Sequence, residues 1–132
     1  MFGNWVEKNH DFFYFIFRVF AGLLFFQHGA QKLFGWFGGP KVELFSLMGL
    51  AGIIETFGSL AIAIGLFTRI MALIAAIEML AAYFMAHVPT GLIPISNGGE
   101  LALLYFAAFL IIMVHGAKIC GIETAIFKKE FF

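Results

Sequence analysis

The sequence predicts an all-α integral membrane protein: a single domain, residues 1–132, of four transmembrane helices in an up-down bundle, with both termini in the cytoplasm. Three observations carry this reading. The chain is 62% hydrophobic and 12% charged, with a mean hydropathy of +0.98, whereas a soluble domain is about half apolar and a quarter charged. It holds 19 Phe in 132 residues, more than one small soluble core can hide. Its apolar runs are separated by short Gly- and Pro-bearing links, and none shows the ~10-residue alternation of a transmembrane β-barrel.

Residues 1–10 form a short polar lead with Trp5 as an interfacial anchor. The first helix runs about 11–34, long enough to cross a ~30 Å hydrocarbon core. It reads as a retained span, because Glu7 and Asp11 flank Lys8 and Arg18 interrupts the apolar run. GWFGGP (35–40) ends it. Residues 41–48 are an interfacial segment or the first turns of the next helix. The second helix runs about 49–66, and Gly52, Gly58 and Gly65 allow close helix approach within or between protomers. A tight turn leads to the third helix, about 69–86. The loop 87–99 carries two prolines, the fourth helix runs about 100–116, and a tail covers 117–132, with IETAIF (122–127) suited to the membrane surface. Lys8, Arg69, Lys118, Lys128 and Lys129 fall on one side and Lys32 and Lys41 on the other. The positive-inside rule therefore turns the loops 35–48 and 87–99 outward.

Function must come from the ionisable residues inside these runs. On a helix, Arg18, Ala21, Gly22, Phe25, His28, Gly29 and Lys32 share one stripe, with Gln27 opposite. A charge at the bilayer centre costs ~2.5–3.5 kcal/mol even on the lenient insertion scale, so such a stripe must face other helices or a wet cavity. Counted from the inner helix ends, Arg18, Glu55 and Glu78 lie within ~3–6 Å of one another in depth. An ion pair of Arg18 with Glu78 or Glu55 is expected, as a functional group or as a device fixing helix register. His28, Lys32, Glu55, His87 and Glu100 form a second group nearer the outer face. Donors, carboxylates and aromatic walls in one place suit a quinone headgroup. The candidate catalytic residues are His28, Glu55 and Glu100. Arg18, Lys32, Trp36, Glu78 and His87 are the candidate groups for binding substrate or quinone. Each also has a plainer reading: His28 bonded to a backbone carbonyl or to Glu55, Lys32 snorkelling to headgroups, Glu100 favoured by a helix N-terminus and His115 by a helix C-terminus.

No haem or metal ligand spacing is present. Cys120 is the single cysteine, which excludes an internal disulfide and a self-contained thiol oxidase. The formal net charge of zero points to no nucleic-acid partner.

At these residues the sequence resembles the DoxX family of small four-helix bacterial membrane proteins. The resemblance rests on Arg18 and Gly22, on HGAQKLFGWFGG (28–39), on Glu55, Ser59-Leu60 and Gly65-Leu66-Phe67-Thr68-Arg69, and on Asn97-Gly98-Gly99-Glu100. It covers roughly 15–118. It implies a bundle in the bacterial inner membrane. Family members include a membrane subunit of thiosulfate:quinone oxidoreductase and a component of a membrane redox complex linked to superoxide and thiol detoxification; distant four-helix relatives are assembly chaperones. Many members carry an acidic element after the fourth helix. Here that region reads HGAKICGIET (115–124), a departure from the family pattern in which the acid's role is either lost or passes to Glu123.

The reading is a membrane subunit of a quinone-linked oxidoreductase or membrane redox complex acting on reduced sulfur or thiol donors. Its cofactor is a quinone and its surroundings the lipid bilayer, with a redox partner subunit and a homo-oligomer as further associations. The alternatives are a non-enzymatic scaffold or assembly factor, and a small lipid- or solute-binding membrane protein.

Overall fold

The computed structural model describes residues 1–130; Phe131 and Phe132 of the expected tail lie outside the described residues. Those described are helical, with no β-strand among them. The elements are α1 (Phe2–Lys8), α2 (His10–Phe34), α3 (Leu47–Ile64), α4 (Thr68–Thr90), α5 (Pro94–Asn97), α6 (Glu100–His115) and α7 (Ile122–Phe127). Three of them, α2, α3 and α4, are long and apolar enough to cross a membrane. The 16 residues of α6 are apolar but reach only about 24 Å.

Local chemistry sets the ends. The first ten residues are not an extended lead. They form α1, joined to α2 at Asn9, whose side-chain amide donates to the Trp5 carbonyl at 2.7 Å. Gly35, at φ 69°, closes α2 in the left-handed conformation that glycine adopts without strain. The segment 41–48 is not a helix of its own. Val42 is tied back by its N–H to the Lys32 carbonyl at 2.9 Å, and Ser46 caps α3 by accepting from Gly49 N–H at 3.0 Å. The third long helix does not stop at residue 86. It passes through a wide π-turn (Tyr83–His87) and a 3₁₀ turn (Val88–Thr90). A second π-turn, Ile54–Gly58, lies inside α3 and contains Glu55. Such turns occur frequently at functional sites.

Packing pairs α2 with α3 along its length and α4 with α6. The α2–α3 approach depends on two glycines seven residues apart. A Cβ at Gly22 would stand 2.8 Å from the Ser59 carbonyl and 2.9 Å from Ala63 Cβ, and one at Gly29 would run into Thr56 N and Oγ1. Gly52 is similarly close to Leu33, at 2.9 Å. Gly58 meets only ordinary contacts, with Met71 Sδ at 3.9 Å, and so is not a close-approach residue. Phe25, Ile62, Met79, Tyr105, Phe109 and Ile112 fill the core around Ala72, Ala75 and Ala76, with the Phe25 and Phe109 rings edge to face at 4.7 Å. The outward faces carry exposed Phe, Leu and Ile, among them Phe20, Leu24, Phe57, Ile77 and Leu104, as lipid contact requires.

Candidate functional site

Two polar centres lie at opposite ends of α2. The first is built on Arg18, which is fully buried. Its guanidinium donates to three main-chain carbonyls: Ile62 at 3.3 Å, Ile119 at 3.1 Å and Cys120 at 3.3 Å. It also stands 5.5 Å from the centroid of the Phe15 ring. Neighbouring bonds complete the attachment of the tail. Tyr14 donates to the Gly116 carbonyl at 2.5 Å, Phe67 N–H donates to Glu123 Oε2 at 3.2 Å, and Ala117 N–H donates to Glu130 Oε1 at 2.8 Å. Glu123 is fully buried, so α7 does not simply lie on a membrane surface as an amphipathic strip.

The expected ion pair of Arg18 with Glu55 or Glu78 is therefore corrected. The glycine contacts put Glu55 and Thr56 opposite Gly29 and put Gly65 against Arg18. Gly29 lies eleven residues from Arg18, about 16 Å along the helix. Counting depth from helix ends failed because the ends are not level. The first turns of α2 overhang the end of α3, and the tail fills the space beyond it.

The second centre is a cavity of about 560 Å³ between the C-terminal half of α2 and helices α3, α4 and α6. Its walls are mostly apolar, with Phe25, Ile54, Ile74, Met79, Met85 and Leu101 among them. Its polar groups converge from all four helices: His28 and Lys32 from α2, Glu55 from α3, Glu78 and His87 from α4, and Tyr105 from α6. Lys32 Nζ donates to Glu55 Oε2 at 2.6 Å, and the side chains are only 18% and 4% exposed. The His28 ring meets Tyr105 edge to face at 5.8 Å. His87 Nδ1 lies 3.1 Å from the Asn97 carbonyl. Both carboxylate oxygens of Glu78 are buried without a hydrogen-bond partner among the described residues. A buried carboxylate lacking donors is costly unless a donor or a proton reaches it.

A family model, DoxX, matches residues 13–88, more than half of the chain. The chain belongs to the DoxX family. The match spans α2, α3 and most of α4, and so contains His28, Lys32, Glu55, Glu78 and His87 of the cavity, while Tyr105 lies beyond it. The chain is similar to an uncharacterised protein of Haemophilus influenzae, 38% identical over 96% of this chain and 99% of the relative. It is also similar, at 23% identity over 95% of each, to a Bacillus subtilis protein that carries the name "Putative oxidoreductase CatD". No solved structure matches the chain.

Among the candidate residues of this DoxX-family chain, five line the cavity and three do not. Arg18 is fourteen residues before Lys32, about 21 Å away along α2, and belongs to the other centre. Glu100 is exposed and is not a lining residue. Ala102 and Tyr105 face the cavity, and at 100° per residue Glu100 points away from both. Trp36 lies past the helix end, half-exposed and packed on the Phe34 ring at 5.1 Å. Sequence reasoning missed Tyr105, and it quoted Asn97 in the Asn97-Gly98-Gly99-Glu100 string without giving it a role in the site. Tyr105 is the one tyrosine within the apolar run of α6, a signal that was available. Asn97, the last residue of the short helix α5, is buried. It donates to the Gly91 carbonyl at 2.9 Å and the Tyr83 hydroxyl at 3.3 Å, and accepts from Gly99 N–H at 2.8 Å. Its role depends on a loop fold that residue spacing does not reveal.

Proposed function

We propose that this chain is a membrane subunit of a quinone-linked oxidoreductase, or of a membrane redox complex, drawing electrons from reduced sulfur or thiol donors. In this reading it lies in the bacterial inner membrane with α2, α3, α4 and α6 as four spans and both termini cytoplasmic. The basic residues support that orientation. Arg69 donates to the Met113 and Val114 carbonyls at 3.1 and 2.5 Å, so it shares an end with the tail that carries Lys118, Lys128 and Lys129.

The observation that carries the redox reading is the meeting of Lys32, Glu55 and Glu78, from three helices, in the wall of one apolar cavity. Its volume falls in the ordinary range for small-molecule sites, about 300–1,000 Å³. A quinone, when bound, supplies two-electron, two-proton acceptor chemistry. The chain's part is to hold and protonate. Lys32 has N–H donors beyond the one given to Glu55, and His28 stands one helical turn before it with a second ring nitrogen. Glu55 and Glu78 offer carboxyl groups that can hold or pass a proton at the cavity wall. Phe25, Ile54 and Leu101 exclude water from that exchange. Cys120 is the single cysteine, so electrons from a thiol donor reach this site directly or through a partner subunit. The name of the Bacillus subtilis relative is in keeping with this reading.

The test is donor-dependent reduction of a short-chain quinone in membranes carrying the chain, with thiosulfate and with dithiothreitol as donors. His28→Ala and Glu55→Gln should each lower the rate at least tenfold. Full activity in both variants ends the assignment. Co-purification with another membrane protein, together with no quinone-dependent rate, would favour an assembly factor.

A further inference from the structure

We propose that the cavity opens sideways on the bilayer through a gap between α3 and α4, and that its guest is an apolar ring whose long apolar chain lies in this gap. The proposal rests on the quinone-linked reading and narrows its substrate class to a lipid-dissolved quinone with a prenyl tail.

The gap follows from how the two helices meet. The turn 65–67 joins them, with Gly65 and Phe67 both in the left-handed conformation. From that turn, α4 packs on the last residues of α3 and on its π-turn (Ile54–Gly58), but not on its first seven residues, Leu47–Ile53. The helices therefore diverge away from the turn, and the cavity lies between them. Its edge is formed by Leu47 and Leu50 on α3 and by Ala81 and Met85 on α4, which line the cavity and are exposed at the same time. Leu50 and Ile54 stand about 5 and 10 Å along α3 from Leu47. With α3 as a span, an apolar edge at that depth meets acyl chains rather than water.

The other sides are occupied. The opposite seam, α2 against α6, is filled by the buried rings of Phe25 and Tyr105, with centroids 5.1 Å apart. A groove of about 410 Å³ lies outside that seam, walled by Phe20, Leu24 and Leu104, and Tyr105 and Leu101 stand between it and the cavity. At the loop end, Gly98 and His87 line the cavity, and Asn97 holds this segment through His87 and the Gly91 carbonyl.

The polar groups lie across the cavity from the gap. His28 and Lys32 belong to α2 and Tyr105 to α6, and Lys32 holds Glu55 at 2.6 Å. Lys32 keeps N–H donors beyond the one given to Glu55, and the second Glu55 oxygen and the Tyr105 hydroxyl are unbonded among the described residues. A compact polar ring fits one end of this space and an apolar chain the other. In lipid the chain gains little by exchanging acyl neighbours for the gap, because both are apolar. The gap therefore admits a tail without attracting it, and closing it should penalise only tailed guests.

The experiment is equilibrium binding to the full chain in lipid nanodiscs. The probes are the ubiquinone ring without a side chain and the same ring with a geranylgeranyl side chain, each referred to its concentration in the bilayer. In the wild type the two dissociation constants should agree within about threefold. Ala81→Trp and, from the other edge, Leu50→Trp place a large side chain in the gap. Each should weaken the tailed quinone about tenfold or more and the tailless one less than about threefold. Leu104→Trp, in the groove outside the α2–α6 seam, should change neither. A diazirine at the end of the tail should label residues 47–54 and 81–85. The inference is overturned, and the quinone-linked reading left intact, by any of three results: a tailed quinone unaffected by both gap variants, labels on 17–24 and 101–111 instead, or a wild type that binds the tailed quinone about tenfold more weakly. Failure of both quinones to bind overturns both. The positions labelled in the wild type decide the matter even if the variants do not fold.

Discussion

At Arg18 a fully buried guanidinium donates to three main-chain carbonyls. Fourteen residues further along the same helix, the Lys32 ammonium meets a side-chain carboxylate beside a cavity, and a second carboxyl there has no hydrogen-bond partner among the described residues. The difference lies in the kind of acceptor. Main-chain carbonyls of α3 and of the tail are part of the fold, so Arg18 and its acceptors stay together for as long as the chain is folded. Side-chain groups around empty volume can exchange partners, and their unsatisfied capacity is available to a guest. The same stripe of α2 thus serves stability at one end and, in the proposed reading, binding at the other.

The contrast is broken most severely at Arg18. Arg18→Leu leaves three carbonyl groups that lose a charged donor, and it should lower stability by about 3 kcal/mol or more. The measurement is thermal unfolding in detergent, together with early proteolysis after Gly116 as the tail detaches. Loss of quinone binding with no change in melting temperature would reverse the roles assigned to the two ends.

A smaller loss is expected at the crossing that sets the register of both centres. In Gly29→Ala the new methyl meets the Thr56 backbone and hydroxyl, an overpacking that typically costs about 1–3 kcal/mol. Because Thr56 follows Glu55, the Lys32–Glu55 bond should weaken as well. An unchanged melting curve would show that α2 and α3 do not approach as closely as described.

The smallest effect should have the opposite sign. Glu78→Leu removes a buried carboxyl that has no hydrogen-bond partner among the described residues, and stability should rise by about 1 kcal/mol while donor-dependent quinone reduction falls. A destabilised Glu78→Leu would mean that the carboxyl is bonded within the fold after all. Stability and function should therefore respond in the same direction at Gly29 and in opposite directions at Glu78.

Much of this was legible in the residues, and what was not has a definite cause. The apolar runs placed α2, α3, α4 and α6 to within a few residues, because a lipid-facing helix needs no detailed partner to be recognised. The stripe Arg18–Gly22–Phe25–Gly29–Lys32 was readable from helical periodicity, and Arg18, Gly22, Phe25 and Gly29 are buried. Which acid met which base was not. Equal depth counted from helix ends assumes level ends, and α2 has 25 residues to the 18 of α3. The extension of α4 through its π-turn, and the folding of 91–99 around Asn97, depend on bonds between residues whose spacing carries no periodic signal.

Composition and run length alone determined that this chain is helical and belongs in lipid, because the transfer of apolar side chains and the satisfaction of backbone groups depend on no particular neighbour. They also identified nearly all the ionisable residues that would have to be accommodated there. Tertiary structure decided that Arg18 would bind the tail and that Lys32 would bind Glu55. It also decided that Glu78 would stand in the wall of a cavity with neither oxygen bonded among the described residues. Those outcomes follow from the axial register of α2 against α3, and that register is set by backbone contact at Gly22 and Gly29, which no count along a single helix contains.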